Sequence, residues 1–391
     1  MMMILSFIFW SSICVILHTY VLYPVILYFL SKNKKENDIV YGPNDDLPSV
    51  AVVMAVYNEE AVIREKLTSI FQTNYPLHLI DVYVGSDNSN DETESIVAQF
   101  AEKYPQVHLV HFDSRTGKPQ IINALIKSID AKILLLTDAN VYFEENTIFE
   151  LVKHFKNDAI DAVGALIKNN NEKSSGISVQ EKTYLTQDSD VKYREGLFAR
   201  AVIGLFGGLY AIRRKSYRAV PQGFIVDDFY ITMSVIENGG GVITANDSVC
   251  YEDVSNNITE EFKRKTRIST GNFMNLSRFR RLSNPFTKVG FMFLSHKIFR
   301  WITPFLLILV FVLNVCICTY GVVYQITLCG QLFLLLLLLC DRLLGKFNIH
   351  CGLLRFVTHF YAMNAALLLG FWNYLKKDST SVWQPTKRNQ E

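Results

Sequence analysis

The chain has 391 residues, of which half are hydrophobic and only 19% charged, and its net charge is +2. That much apolar residue content excludes a disordered chain, and the near-neutral balance gives no reason to expect a nucleic-acid partner. The uneven spread of charge also argues against a purely soluble protein.

Residues 4–30 contain no Asp, Glu, Lys or Arg, and neither do residues 301–340 or 356–375. A helix needs about 20 apolar residues to cross a bilayer, so these runs hold one, two and one spans. The first run has no positive charge before it and no small-residue cleavage site after it. It is also about twice the length of a signal-peptide core. It therefore reads as an uncleaved span. Lys32, Lys34 and Lys35 follow it directly, which places the N-terminus outside and the next domain in the cytoplasm.

Residues 31–47 are polar and read as a linker. After them the pattern alternates. Val50–Val56, Ile80–Gly85, Val107–Phe112 and Ile133–Thr137 read as strands, and Glu59–Phe71, Asp91–Tyr104, Lys118–Ile129 and Asn146–Phe155 as helices. Short strands alternating with helices of this length predict a mainly parallel sheet covered on both faces. Ligands of such sheets bind beyond the carboxyl ends of the strands. Cys14, Cys316, Cys318, Cys329 and Cys340 lie in apolar runs, and the soluble part holds Cys250 alone. This is no disulfide framework.

Polar clusters follow three of the strands: Ala55-Val56-Tyr57-Asn58-Glu59-Glu60, Ser86–Thr93 around Asp87, and Thr137-Asp138-Ala139-Asn140. Asn58, Asn90 or Asp91 could each simply cap the helix that follows, but three clusters at one end of one sheet point to a site. Asp138 and Asn140, spaced i and i+2 on a strand-ending turn, suit a hard divalent cation such as Mg²⁺ or Mn²⁺. Such an ion would neutralise a departing diphosphate. Gly117-Lys118 opens a helix, where backbone N–H groups favour anions. Towards the C-terminus, His296–Trp301 reads as an interfacial helix with Trp301 at headgroup level. A full crossing by 356–375 would leave Lys376, Lys377, Lys387 and Arg388 outside, against the positive-inside rule.

Taken in order, Ala55–Glu59, Asp87, Gly117-Lys118, Asp138-Ala139-Asn140, Phe206-Gly207-Gly208, Asp227-Asp228 and Arg264-Lys265-Thr266-Arg267 resemble the motifs of membrane-embedded family 2 glycosyltransferases. These are enzymes of the cellulose, hyaluronan and chitin-oligosaccharide synthase type. The resemblance implies an α/β GT-A nucleotide-sugar-binding domain with a mixed, mainly parallel sheet, about four membrane helices and interfacial helices. The domain order would be an N-terminal membrane helix at 1–30, a linker at 31–47, the GT-A domain at 48–255, interfacial helices at 256–300, membrane helices at 301–375 and a basic tail at 376–391.

It further implies an inverting, metal-dependent hexosyltransferase in the bacterial inner membrane with a cytoplasmic catalytic domain. Its donor would be a nucleotide sugar, UDP-linked, and its acceptor a growing glycan or a lipid. Ala55, Tyr57 and Glu59 would line the nucleotide pocket, Asp87 would hydrogen-bond the uracil, and Lys118 would sit near the base or phosphates. Asp138, with the neutral Asn140, would hold the metal. Phe206, Gly207 and Gly208 would shape the acceptor mouth. Asp228 would be the catalytic base beside Asp227, and Arg267 would meet the diphosphate. Processive synthases usually carry a tryptophan where Ile268 stands, which leaves single transfer to a lipid open beside chain extension. With so few spans, a glycan channel would be narrow or need a second protomer, so a homo-oligomer is admitted.

Overall fold

A computed structural model of the chain describes residues 2–170, 178–253, 258–347 and 351–377. Most of the expected basic tail lies outside the described residues. The chain divides into two compact units. One draws on Met1–Phe29, Lys173–Tyr184 and Ser255–Asp378, the other on Leu30–Glu172 and Leu185–Val254.

The second unit is built on an eight-stranded mixed sheet. Its strands are β1 (Val50–Val56), β2 (Ile80–Ser86), β3 (Val107–His111), β4 (Ile133–Thr137), β5 (Val141–Phe143), β6 (Ile160–Asn170), β7 (Leu209–Arg213) and β8 (Gly241–Asp253). They are arranged in the order β3-β2-β1-β4-β7-β6-β8-β5. β1 to β4 run parallel, β7 runs antiparallel to β4 and β6, and β6 and β8 are parallel again. β1 and β4 are buried at every position, as central strands covered on both faces must be. The chain winds outward from β1 through β2 to β3, then returns to place β4 on the other side of β1. The switch point between β1 and β4 therefore opens a crevice at their carboxyl ends.

The expected linker, residues 31–47, is tied to this unit by Tyr41 N–H donating to Lys153 O at 2.9 Å, by Asn157 donating to Asn37 at 2.7 Å and by the Lys156–Asp45 pair at 2.7 Å.

The other unit is helical. Met2–Ser31, Lys288–Tyr320, Val322–Gly345 and Gly352–Lys376 are long and apolar enough to cross a membrane. Lys288–Tyr320 begins earlier than the charge pattern suggested. His296 and Trp301, expected at an interface, are buried; Trp301 packs near Phe273 and Phe293. Helix Ile258–Arg278 seats small and polar residues on the last candidate span: Ser269 donates to Leu367 O at 2.9 Å and Thr270 to Gly370 O at 3.2 Å.

Candidate active site

The turns after β1 and β2 are cross-tied. Asn58 takes a positive φ of 52°, and its side chain accepts from Asn90 N–H at 3.0 Å. Glu59 N–H donates to Thr93 at 2.8 Å and Glu60 N–H to Asp91 at 3.1 Å. Asn58 and Asp91 thus serve each other's turns across the two loops, which joins the two bland alternatives into one brace.

Asp87 ends β2 with its side chain fully buried. Its carboxylate accepts from Thr116 N–H at 2.5 Å, from Gly117 N–H at 3.2 Å and from Arg115 Nε at 3.1 Å. Charge-assisted bonds of this kind are what permits a carboxylate to be buried. Its oxygens thereby hold the Arg115–Gly117 loop in place. The same carboxylate orients the half-buried Arg115, whose guanidinium lies 3.3 Å from the centroid of the Tyr57 ring. Ala55 lies buried near the end of β1.

Gly117 adopts φ +87°, a conformation suited to glycine, and so starts helix Lys118–Lys127 with Lys118 turned into the crevice. Lys118 Nζ meets Asp138 Oδ1 at 2.5 Å and Asp227 Oδ2 at 4.0 Å. Burial opposes its charge, but Asp138, Asp227 and Asp228 outweigh that and hold Lys118 above the ordinary lysine range. Asp138 is 35% exposed, whereas Asn140 is buried and donates to Glu252 at 3.4 Å. Among the described residues no group of three His, Cys, Asp or Glu is placed to hold a metal. A divalent ion here would fit Asp138 and draw most of its ligands from a diphosphate and water, the habit of Mg²⁺ and Mn²⁺. In this structure the neutral Asn140 amide is taken up by Glu252.

Asp227 and Asp228 open helix Asp227–Glu237, where the helix dipole favours negative charge. Asp228 accepts from Phe229 N–H at 2.8 Å. Burial and then the neighbouring Asp227 push its pKa up to about 6, with Lys118 and Lys192 acting in the other direction. Gly207 lies against this carboxylate, and a Cβ there would sit 2.9 Å from Asp228 Oδ2. Gly208 O accepts from Asp138 N–H at 3.2 Å, so this segment links the donor turn to the base. Phe206 carries the Lys192 ammonium 3.1 Å from its ring centroid.

Lys192 was not singled out from the sequence. Its i, i+4 pair with Asp188, at 3.2 Å, reads as a solvated helix face, yet both side chains are buried. Arg115 adjoins a motif that was recognised and differs from its neighbours only in being oriented by Asp87. Arg267 stands exposed on helix Ile258–Arg278 of the helical unit, with Ile268 half-buried beside it.

Residues 51–220 match the family model described as Glycosyl transferase family 2. The chain is 23% identical over 194 residues to a poly-beta-1,6-N-acetyl-D-glucosamine synthase of Staphylococcus epidermidis, covering 49% of this chain and 46% of that protein. It is 27% identical over 119 residues to a beta-monoglucosyldiacylglycerol synthase of Trichormus variabilis, covering 30% and 25%. The aligned stretch spans less than half the length of either relative. Among solved structures it is similar to the mannosyltransferase PcManGT from Pyrobaculum calidifontis, in complex with GDP-Man and Mn²⁺. The TM-score is 0.73 at 20% identity, over 95% of this chain and 100% of that one. This likeness shows the GT-A fold.

Proposed function

Residues 51–220 being a family 2 glycosyltransferase domain, we propose that the chain is an inverting transferase that moves a sugar from a nucleoside diphosphate sugar to a hydroxyl acceptor at a membrane. The observation that carries this reading is the convergence of Lys118 on Asp138 and Asp227, with Asp228 in the same electrostatic cluster. A cation and a metal-competent carboxylate mark where a diphosphate would lie, and a carboxylate of raised pKa stands ready as base.

The nucleoside would rest on Tyr57 and Arg115, with Glu59 at the rim and Asp87 fixing the loop. The diphosphate would lie toward Lys118 and Asp138. A Mg²⁺ or Mn²⁺ ion on Asp138 would supply charge neutralisation to the leaving diphosphate, as the Mn²⁺ and GDP-Man of the mannosyltransferase suggest. Asp228 would take the proton of the acceptor hydroxyl. The acceptor oxygen then bonds to the anomeric carbon as the bond to the diphosphate oxygen breaks, and the electron pair leaves with the diphosphate. Asp227 would position Lys118 and tune Asp228. Arg267 is assigned to the diphosphate on resemblance alone.

The acceptor we propose is a growing glycan, extended with modest processivity. The glycine-lined mouth at Gly207-Gly208 gives a sugar close access. Single transfer to a lipid is the second reading, favoured by Ile268 in the place of a stacking tryptophan and by the lipid glucosyltransferase among the relatives. The four candidate spans support a place in a bilayer, and Lys32, Lys34 and Lys35 favour the cytoplasmic side for the catalytic unit.

A panel of radiolabelled nucleotide sugars, with products sorted by size and solvent extraction, tests this. A ladder or long chains supports extension. One added sugar extracted into organic solvent supports the lipid reading. No release of nucleotide from any donor overturns both.

A further inference from the structure

Behind the donor turn lies a lysine that the mechanism does not use. Lys66 projects from helix Glu60–Phe71 and is fully buried. No carboxylate comes within ion-pair distance of it among the described residues. Instead its Nζ donates to Thr137 Oγ1 at 2.9 Å and to the Val141 carbonyl at 2.5 Å, and it sits 3.6 Å from the centroid of the Phe143 ring. Two oxygens and a π face thus surround an amine that has left water, and burial drives its pKa well below the ordinary lysine range.

Its acceptors are not arbitrary points in the core. Thr137 and Val141 flank Asp138-Ala139-Asn140 on either side, so Lys66 closes that turn from beneath. The Thr137 hydroxyl in turn donates to Gly208 O at 2.8 Å, the same carbonyl that accepts from Asp138 N–H. A continuous relay therefore runs from Lys66 through Thr137 to Gly208, joining the donor turn to the segment that abuts Asp228. Burying an amine is costly, and a leucine or methionine would fill the space more cheaply. A buried lysine tied to both ends of the Asp138 turn has a function to match that cost.

We propose that Lys66 is a positioning residue for the diphosphate of the donor: it fixes the Asp138 turn and its register with Gly208 at the floor of the phosphate subsite. This rests on the nucleotide-sugar reading above. Lys66 does not touch the nucleoside pocket, which is built on Tyr57, Arg115 and Asp87.

The test compares UDP with uridine, both in the presence of Mn²⁺, by calorimetry on the full chain in detergent or nanodiscs. Lys66→Met should weaken UDP about tenfold and leave uridine within twofold. Its melting temperature should be equal to or higher than that of wild type, since a buried amine is replaced by an apolar side chain. Thr137→Val, which cuts the relay but keeps the lysine, should show the same selective loss, and it decides the matter if Lys66→Met does not fold. Equal UDP affinity in wild type and variant overturns the proposal. So does a parallel loss of UDP, uridine and melting temperature, which would make Lys66 a core residue only. Wild-type protein that binds neither UDP nor uridine overturns the donor reading itself, and the proposal with it.

Discussion

Asp228 supplies the sharpest prediction, because its environment sets both a rate and a stability. Burial and the Asp227 charge raise its pKa from 3.8 to about 6. A base works only when ionised, so transfer should show an acidic limb near pH 6 and fall about tenfold per pH unit below it. The same shift acts on folding. The folded-state value lies above the unfolded one, so the proton is bound more tightly in the folded chain. Asp228 therefore costs nothing well below pH 3.8, and its cost grows as the pH rises through about 6. Above that the cost levels off near 3 kcal/mol, from roughly two units at about 1.4 kcal/mol each, an upper bound for a half-buried group. Asp228→Asn should thus lose transfer by on the order of 10²-fold or more while gaining stability at pH 7.5 and none at pH 3. The assay pairs kcat/KM from about pH 5 to 8 with denaturant melts of both proteins from about pH 3 to 8. Two variants fix the cause: Asp227→Asn should move the acidic limb down, and Lys118→Met should move it up. A flat profile over this range, or an asparagine variant as active as wild type, would refute the reasoning.

Gly207→Ala puts a methyl group 2.9 Å from Asp228 Oδ2, so it should cut turnover at least tenfold while nucleotide affinity, measured by calorimetry, stays within twofold. Asp87→Asn loses the charge that holds Thr116, Gly117 and Arg115, and the uridine Kd should rise about tenfold, each lost charge-assisted bond being worth about 1.5–3 kcal/mol before the loop rearranges; unchanged uridine binding would remove the organising role. EDTA should silence transfer, Mn²⁺ or Mg²⁺ should restore it, and Asp138→Ala should abolish the metal-stimulated part of UDP binding; full turnover in EDTA would end the metal reading.

The half of the sheet that carries the nucleotide motifs was legible because its strands are short, apolar and bounded by polar turns. β1 to β4 fall where the alternation of patterns puts them, within a residue or so at their ends. The other four strands were not read. β5 has three residues, too few for a period to register. β8 is interrupted by the polar Asn246-Asp247-Ser248, where its register against β6 shifts between Ala165 and Leu166, so it offers neither a clean run nor a clean alternation. β7 runs against β4 and was visible only as the apolar end of a glycine motif. The membrane segments were legible for a simpler reason: absence of charge over 18 residues or more leaves few alternatives. Where Lys288–Tyr320 begins was not, because Lys297 and Arg300 suggest water and the helix nevertheless continues through them.

The site divides along a related line. Residues on turns after strands could be picked out because a polar residue there has few structural duties, and Asp138, Lys118 and Asp228 are indeed brought together. What sequence could not show is which polar residues face inward from the helices. Lys66 and Lys192 both lie on helices that also carry exposed charged residues such as Arg64, Glu65 and Asp190, and each is an ordinary helix-former by propensity. Their burial is set by neighbours far along the chain, Thr137 and Val141 for one and Phe206 for the other. Asp87 shows the converse: its place beyond β2 was legible but its bonds to Arg115, Thr116 and Gly117 were not, because a carboxylate beyond a strand looks the same whether it meets a ligand or three donors of its own chain. Lys118 draws Asp138 and Asp227 together, Lys66 and Asp87 hold the neighbouring turns in place, and Asp228 takes its raised pKa from burial and Asp227 against the pull of Lys118 and Lys192.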